Sequence, residues 1–376
     1  MHALSKAIDR WAGGLLVLLL SPFSRIGRRG GGADPSSILV VRLWTLGETL
    51  LTAPLLGEIR KRYPRATVTV LCREANGPVV GLFPGVDRVL FFEPGNLLSL
   101  FRSFRRYDLS FDTEPWFRVS ALLSFWLAKR RVGFSHGVRR FLYTDATPFD
   151  DRQYEAQTFL DLLIPLGASV RFSGFPRMAI PKDDERNIAE LLRGPKAAER
   201  EPRIGVCPGA EDALYRMWPT ERFAETADRL VEKHGAWIIL IGSGSEAALC
   251  SRVASLVRRK DRIANLAGCT TLPGLFSLVA GLDLLITNDT GPMHVAAVVG
   301  TPTVSLFGPN LPVRFAPRTP GSVALFHGDE ENPIINVHEG KIPARARREY
   351  FEPIGRITVE EVLEAAEQAL RRKPGA

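Results

Sequence analysis

At 376 residues, 45% hydrophobic and 24% charged, the chain can bury large cores and divides into two domains of ordinary size, which excludes a disordered polymer. Its formal charge of +8 favours anionic partners. However, the basic clusters at 25–29, 102–106, 129–131, 258–260 and 345–348 are scattered, each reading as a solvated face, and no helix-turn-helix, zinc-finger or ribonucleoprotein pattern accompanies them, so no nucleic-acid partner is expected. Cys72, Cys207, Cys250 and Cys269 lie far apart with no CxxC or Cys/His ligand spacing, which excludes a disulfide framework and a zinc site and fits a reducing compartment.

In chain order, residues 1–34 come first, with an apolar core at 11–20 that is too short to span a bilayer. Pro22 and the basic residues at 25–29 stand where a signal peptide would carry a small-residue cleavage site. Two readings fit: an amphipathic helix lying on an anionic membrane surface, or a helix packed on the protein's own core. "RRGGGADPSS" reads as a linker.

From Ile38 strands and helices alternate. "SILVVRL", "TVTVLCR", "VDRVLFFE" and "YDLSFDTE" are strands, "TLLTAPLLGEIRKRYP" is an amphipathic helix, and "RVSALLSFWLAKRRVGF" adds a helix and a short strand. The second half repeats the plan. "RIGVCPG" and "AWIILIGSG" are strands around the helix "TERFAETADRLVEKHG", which has a threonine cap and a glycine stop. "RIANLAG", "DLLITND" and "PTVSLFG" continue it, with "GPMHVAAVVG" a helix. Apolar strands separated by helices predict parallel sheets covered on both faces, hence an α/β chain of two Rossmann-like domains, 35–180 and 181–350, followed by a C-terminal helix and tail at 351–376. Ligands of such sheets bind beyond the carboxyl ends of the strands.

"GSGSEA" satisfies the dinucleotide fingerprint GxGxxA, but that motif expects an acidic residue ending the next strand, and Asp261 precedes it instead. A glycine turn with a carboxylate, Glu246, serves a sugar-nucleotide enzyme equally well. "LLITNDTGPMHVAAVVG" is more specific. A buried strand ends in Asn288-Asp289-Thr290-Gly291, and Pro292 pre-sets a helix start whose backbone N–H groups can hold phosphate, with Asp289, Thr290 and His294 at its mouth. Taken alone, the same residues also read as a cap and an intrahelical histidine. A second post-strand loop, "CPGAEDALYRMWP", supplies Gly209, the cation Arg216 and Trp218.

These two loops together resemble the heptosyltransferases of glycosyltransferase family nine. Members carry a PGA loop ending in a basic residue two before Trp-Pro, and an Asp-(Ser/Thr)-Gly-(Pro/Leu)-x-His motif. Here these are Pro208, Gly209, Ala210, Arg216, Trp218 and Pro219, then Asp289, Thr290, Gly291 and His294. The resemblance spans about 38–312 and implies a GT-B fold whose two Rossmann-like domains face a cleft. It implies inverting transfer of a heptose from an ADP-activated donor to a lipopolysaccharide core or other glycolipid acceptor. The apolar core at 11–20 and the basic residues after it add the expectation of a cytoplasmic protein, peripheral on the inner face of the membrane. The resemblance places the donor on the C-terminal domain, with Glu246 near the nucleoside and Asp289 near the sugar hydroxyls. Arg216 stands where lysine is usual, and Glu48 where the family's post-glycine carboxylate is usually aspartate.

Such a transfer needs a site for the departing diphosphate, met by Arg216, Thr290 and the helix-start amides, and a base for the acceptor hydroxyl. Glu48, at the turn after the first strand, is the expected base. Its alternative is an exposed charge favoured by the helix dipole, in which case the next candidates are Asp112 and Glu114. Thr45 and Gly47 complete the turn. Arg118 suits an anionic acceptor sugar such as a keto-deoxy acid, or is a surface arginine. No metal or cofactor is called for. A sugar-nucleotide epimerase of the same fold and a non-catalytic glycan-binding protein remain as alternatives.

Overall fold

The computed structural model describes residues 7–25, 34–192, 201–210, 214–329 and 347–371. Most of the expected linker, the cations at 26–29 and 345–346, residues 211–213 of the "CPGAEDALYRMWP" loop and the C-terminal tail lie outside the described residues. The chain divides into two compact units, Met1–Arg177 and Met178–Ala376.

The first unit is built on β1 (Ser37–Val41), β2 (Thr67–Cys72), β3 (Arg88–Phe91), β4 (Tyr107–Asp112), β5 (Ala128–Phe134) and β6 (Asp145–Thr147), in the order β3-β2-β1-β4-β5-β6. All neighbours are parallel. The second unit holds β7 (Arg203–Cys207), β8 (Trp237–Leu240), β9 (Ile263–Asn265), β10 (Leu284–Asn288), β11 (Thr303–Phe307) and β12 (Val323–Phe326), ordered β12-β11-β10-β7-β8-β9 and also all parallel. Counted from its own first strand, each sheet reads 3-2-1-4-5-6, the Rossmann order. Strand order therefore reverses between β1 and β4 and again between β7 and β10. Pairings such as Val41 with Asp112 and Thr287 with Cys207 bring the carboxyl ends of those strands level. Ile38, Leu39, Val40 and Val41 are all buried, as strands covered on both faces require.

In the second unit the core runs from Ile204, Trp218 and Phe223 to Val362 and Ala366, so the helix Val359–Arg371 is part of that domain's packing. The indole N–H of Trp218 donates to the Ile357 carbonyl at 2.9 Å and ties this return to the site loop.

Local structure departs from expectation in three places. The helix expected from "TLLTAPLLGEIRKRYP" begins earlier, at Leu46, and is two helices, Leu46–Leu51 and Ala53–Arg62; Pro54 has no N–H to continue the ladder across Thr52. Thr220 is not a cap but the first residue of Thr220–His234, its hydroxyl turned to Glu221, whereas Gly235 does stop that helix at φ +62°. Arg131 is not on a solvated face: it is fully buried, donating to the carbonyls of Leu142, Ala128, Lys129 and Ser24. Burial pushes its pKa down to about 10.

The N-terminal segment is held on the first unit at several points. The Asp9 carboxylate accepts from the backbone N–H of Arg118 (3.0 Å) and Val119 (2.8 Å) at the start of the helix Arg118–Leu127. Val17, on the helix Gly14–Leu20, packs among Ala121, Phe125, Leu142 and Tyr143. The same helix leaves Leu15, Leu16, Leu18 and Leu19 exposed, so it is both a core element and an apolar surface.

Candidate active site

At the first switch point a buried cation organises the loops after β1 and β4. Arg42, fully buried, follows β1 directly. Its guanidinium donates to the carbonyls of Trp44 (3.0 Å) and Thr113 (3.2 Å), to Thr45 Oγ1 (3.3 Å) and to the Glu48 carboxylate. Burial opposes its charge, but Glu114, Glu48 and Glu155 together outweigh that and raise its pKa. Glu48, the third residue of Leu46–Leu51, is only 8% exposed and also accepts from the Thr45 hydroxyl at 2.6 Å. It is therefore not a solvated helix-end charge. Thr45 sits at φ +51°, a conformation costly for a β-branched residue; such strain clusters at functional sites.

Glu114 stands beside this pair. One of its carboxylate oxygens accepts from the N–H groups of Leu43 (2.7 Å) and Trp44 (3.0 Å) and lies 3.6 Å from the Arg42 guanidinium. Burial pushes its carboxyl up to about 7, against the pull of Arg42 and with the push of Glu48. Asp112 is different. It is fully buried and occupied by Tyr143 (2.6 Å) and Arg139 (3.0 Å), so of the two reserve carboxylates only Glu114 shares Arg42 with Glu48. Gly47 lies in the first turn of the Glu48 helix. Arg118 is the first residue of its helix and donates to the Trp116 carbonyl at 3.2 Å, 3.8 Å from the Asp9 carboxylate.

At the second switch point the expected donor residues converge on the ends of β7 and β10. Arg216 donates to the Asp289 carbonyl at 3.1 Å, joining the two loops. Glu246 lies over Gly209: a β-carbon there would fall 2.0 Å from a Glu246 carboxylate oxygen, so a side chain at 209 would displace this carboxylate. Glu246 is itself fixed by the N–H (2.8 Å) and hydroxyl (2.9 Å) of Ser243 in a capping box. This is the local task of the "GSGSEA" turn; Asp261 pairs with Arg259, and β9 ends in Asn265 rather than an acid. The helix Gly291–Val299 starts after Thr290 with Pro292 in its first turn and no side-chain cap, and Asp289 is held by Asn310 instead. His294 is buried on this helix, its ring edge-on to Phe315 at 6.3 Å.

Sequence reasoning gave no role to Arg42, Glu155 and Asn310, and named Asn288 only as the end of its strand. Asn288 is the stitch of the second site, donating to the Pro208 carbonyl (2.9 Å) and accepting from the Trp218 N–H (3.2 Å). The available signal was a polar residue closing an otherwise apolar strand, which Arg42 and Asn288 share.

Two Rossmann units in one chain, with a helix start that has no side-chain cap and a cation at the second switch point, are the features of the GT-B fold, which glycosyltransferases and sugar-nucleotide epimerases share. The chain belongs to glycosyltransferase family 9 (heptosyltransferase), whose model matches residues 97–342. Glu48, Thr45 and Arg42 precede that matched range. The chain is similar to lipooligosaccharide heptosyltransferase 2 of Haemophilus ducreyi, 25% identical over 354 residues (89% of this chain, 99% of that protein). It is also similar to lipopolysaccharide heptosyltransferase 2 of Escherichia coli K12, 27% identical over 303 residues (73% and 83%). Among solved structures, a family 9 glycosyltransferase from Veillonella parvula superposes with a TM-score of 0.73 at 26% identity, covering 89% of this chain and 97% of that one. Of the readings left open by the sequence, membership in this family selects the transferase.

Proposed function

We propose that the protein transfers a heptose from an ADP-activated donor to a lipopolysaccharide-core or related cell-envelope glycolipid acceptor, with inversion at the sugar carbon. The observation that carries this reading is the second switch point in a family 9 chain, where Arg216, Thr290 and the start of Gly291–Val299, which has no side-chain cap, offer a preorganised seat for a departing diphosphate. The E. coli K12 relative is a lipopolysaccharide heptosyltransferase, which supports the acceptor class. In this scheme Glu246 and Gly209 meet the nucleoside, Asp289 and His294 the sugar side, and Glu48 takes the acceptor proton. Thr45 and Arg42 hold the Glu48 carboxylate in place, with Gly47 in the same turn, and Arg118 meets an anionic acceptor sugar. The enzyme works on the cytoplasmic side, its N-terminal helix resting on the inner face of the membrane.

The test is a thermal-shift comparison of ADP-heptose, UDP-glucose and GDP-mannose, followed by mass analysis of a core acceptor incubated with the best of them. A ligand that binds only the native state at a hundred times its Kd stabilises it by about 2.7 kcal/mol. ADP-heptose should give the largest shift and add one heptose to the acceptor. A larger shift with another nucleotide sugar, or donor turnover without an acceptor, sinks the assignment.

A further inference from the structure

The first unit carries a second exposed apolar element, distant in sequence from the N-terminal helix. Leu97, Leu98, Phe101 and Phe104 project from the helix Leu97–Arg102 and the turn after it, Phe101 being 64% exposed. Leu100 on that helix is buried with Leu127 and Ala128, so one side chain anchors the element while its neighbours face solvent. Phe101 and Phe104 lie against Trp126 with ring centroids 4.6 and 4.7 Å away, and the Trp126 indole N–H donates to the Phe101 carbonyl at 2.7 Å. The aromatic cluster is braced from beneath.

Both apolar elements flank one helix. Arg118–Leu127 packs Ala121 and Phe125 with Val17 on the N-terminal helix, and Leu127 and Trp126 with Leu100. The β3-to-β4 and β4-to-β5 crossovers advance in the same direction along the sheet, and right-handed connections put their helices on one face. With helices packing 8–10 Å apart, the two elements stand roughly 20 Å from each other.

Along these elements, residues 10–25, 94–107 and 115–144 contain no Asp or Glu, and the carboxylates at their margins are each engaged, Asp9 by the Arg118 and Val119 N–H groups, Asp108 by Lys129 and Asp145 by Arg130. Each exposed patch pairs an arginine with an aromatic ring: Arg10 with Trp11 (5.8 Å), Arg105 with Phe104 (5.3 Å) and Arg140 with Phe141 (4.8 Å). Two separate apolar projections flanked by cations match a plane that is apolar within and anionic at its surface.

We propose that this face is a two-point seat for an anionic phospholipid bilayer. Leu97, Leu98, Phe101 and Phe104 form the second contact beside the N-terminal helix, and the arginines meet headgroup phosphates. This rests on the reading that the N-terminal helix meets a membrane. Two contacts fix the orientation of the first unit on the bilayer, which a single helix would leave free to swing.

The experiment measures co-sedimentation of the full chain with vesicles of phosphatidylglycerol and phosphatidylethanolamine, and with vesicles of phosphatidylcholine alone. The Leu98→Ser/Phe101→Ser and Trp11→Ser/Leu15→Ser pairs alter mostly exposed side chains, so both should stay folded, with only a small fall in Tm where Phe101 leaves Trp126. Each pair is expected to lower partitioning into the anionic vesicles by roughly tenfold or more, and Arg102→Glu/Arg106→Glu to lower it further on anionic than on neutral vesicles. Brominated lipid should quench wild-type fluorescence more than that of Trp126→Phe. If Leu98→Ser/Phe101→Ser binds like wild type, the second contact is wrong while the N-terminal reading survives; if the wild-type chain binds no vesicles, both fall. Self-association that Leu98→Ser/Phe101→Ser abolishes, with vesicle binding unchanged, would make the patch a contact between copies and overturn the proposal. Transfer to a soluble acceptor should be the same in these variants, which keeps this outcome separate from that of the sugar-transfer reading.

Discussion

Glu114→Gln isolates one buried proton. Glu114 is buried among Arg42, Glu48 and two backbone N–H donors, and burial lifts its carboxyl from an ordinary 4.5 to about 7. Between those values the native state holds a proton that the unfolded chain has released. The stabilisation from this group is therefore complete below about pH 4.5 and is lost as pH rises through about 7. A displacement of that size corresponds to on the order of 3 kcal/mol. His136 runs the other way, since burial and Arg139 push its pKa down to about 4, so the wild-type curve alone is a sum of opposing slopes. The difference between variant and wild type removes that background. Urea unfolding of both proteins at pH 5, 6, 7 and 8 should show Glu114→Gln gaining on wild type by about 3 kcal/mol across the range, most steeply below pH 7. Parallel curves would mean that Glu114 does not hold a proton in the native state, and the electrostatic account of the first switch point would be wrong.

At the second switch point, Arg216→Ala and His294→Ala should each fold normally and lose donor use by about 3 kcal/mol in kcat/KM, read from steady-state kinetics; wild-type turnover in both would remove the donor-site assignment. Thr45 at φ +51° gives a paired test: Thr45→Gly relieves the strain whereas Thr45→Ala keeps it, so glycine should be the more stable of the two by about 1–2 kcal/mol in denaturant, with turnover lowered in both because Glu48 loses a hydroxyl donor. Equal stabilities would show that the turn is not strained.

The fold was legible because its signals are local and repeated. Apolar runs such as "SILVV" and "LLITN", spaced by helices, specify parallel strands, and the repetition in the second half specifies a second sheet. Gly235 announced its helix end, since only a residue tolerant of positive φ stops a helix that way. Thr220 misled because a threonine before a helical pattern looks like a cap, whereas Pro219 already occupies the position before the first turn. The second site was readable as motif residues but not as a network. Nothing in the spacing of Asn288 and Trp218, 70 positions apart, shows that one accepts from the other's backbone. Arg42 was hidden for a related reason. A cation at the end of an apolar strand looks solvated until the glutamates from three other segments are brought around it by the switch-point topology.

In the proposed reaction Glu48 takes the proton from the acceptor, and Glu48→Gln probes that role when donor affinity and single-turnover transfer are measured on the same preparation. The amide keeps the size and most of the hydrogen bonding to Arg42 and Thr45 but does not accept a proton. ADP-heptose affinity by calorimetry should be unchanged, with transfer slowed by roughly 10² to 10⁴, the usual worth of a general base. Wild-type transfer rates in Glu48→Gln with a competent acceptor would contradict that role and would move the base to Glu114.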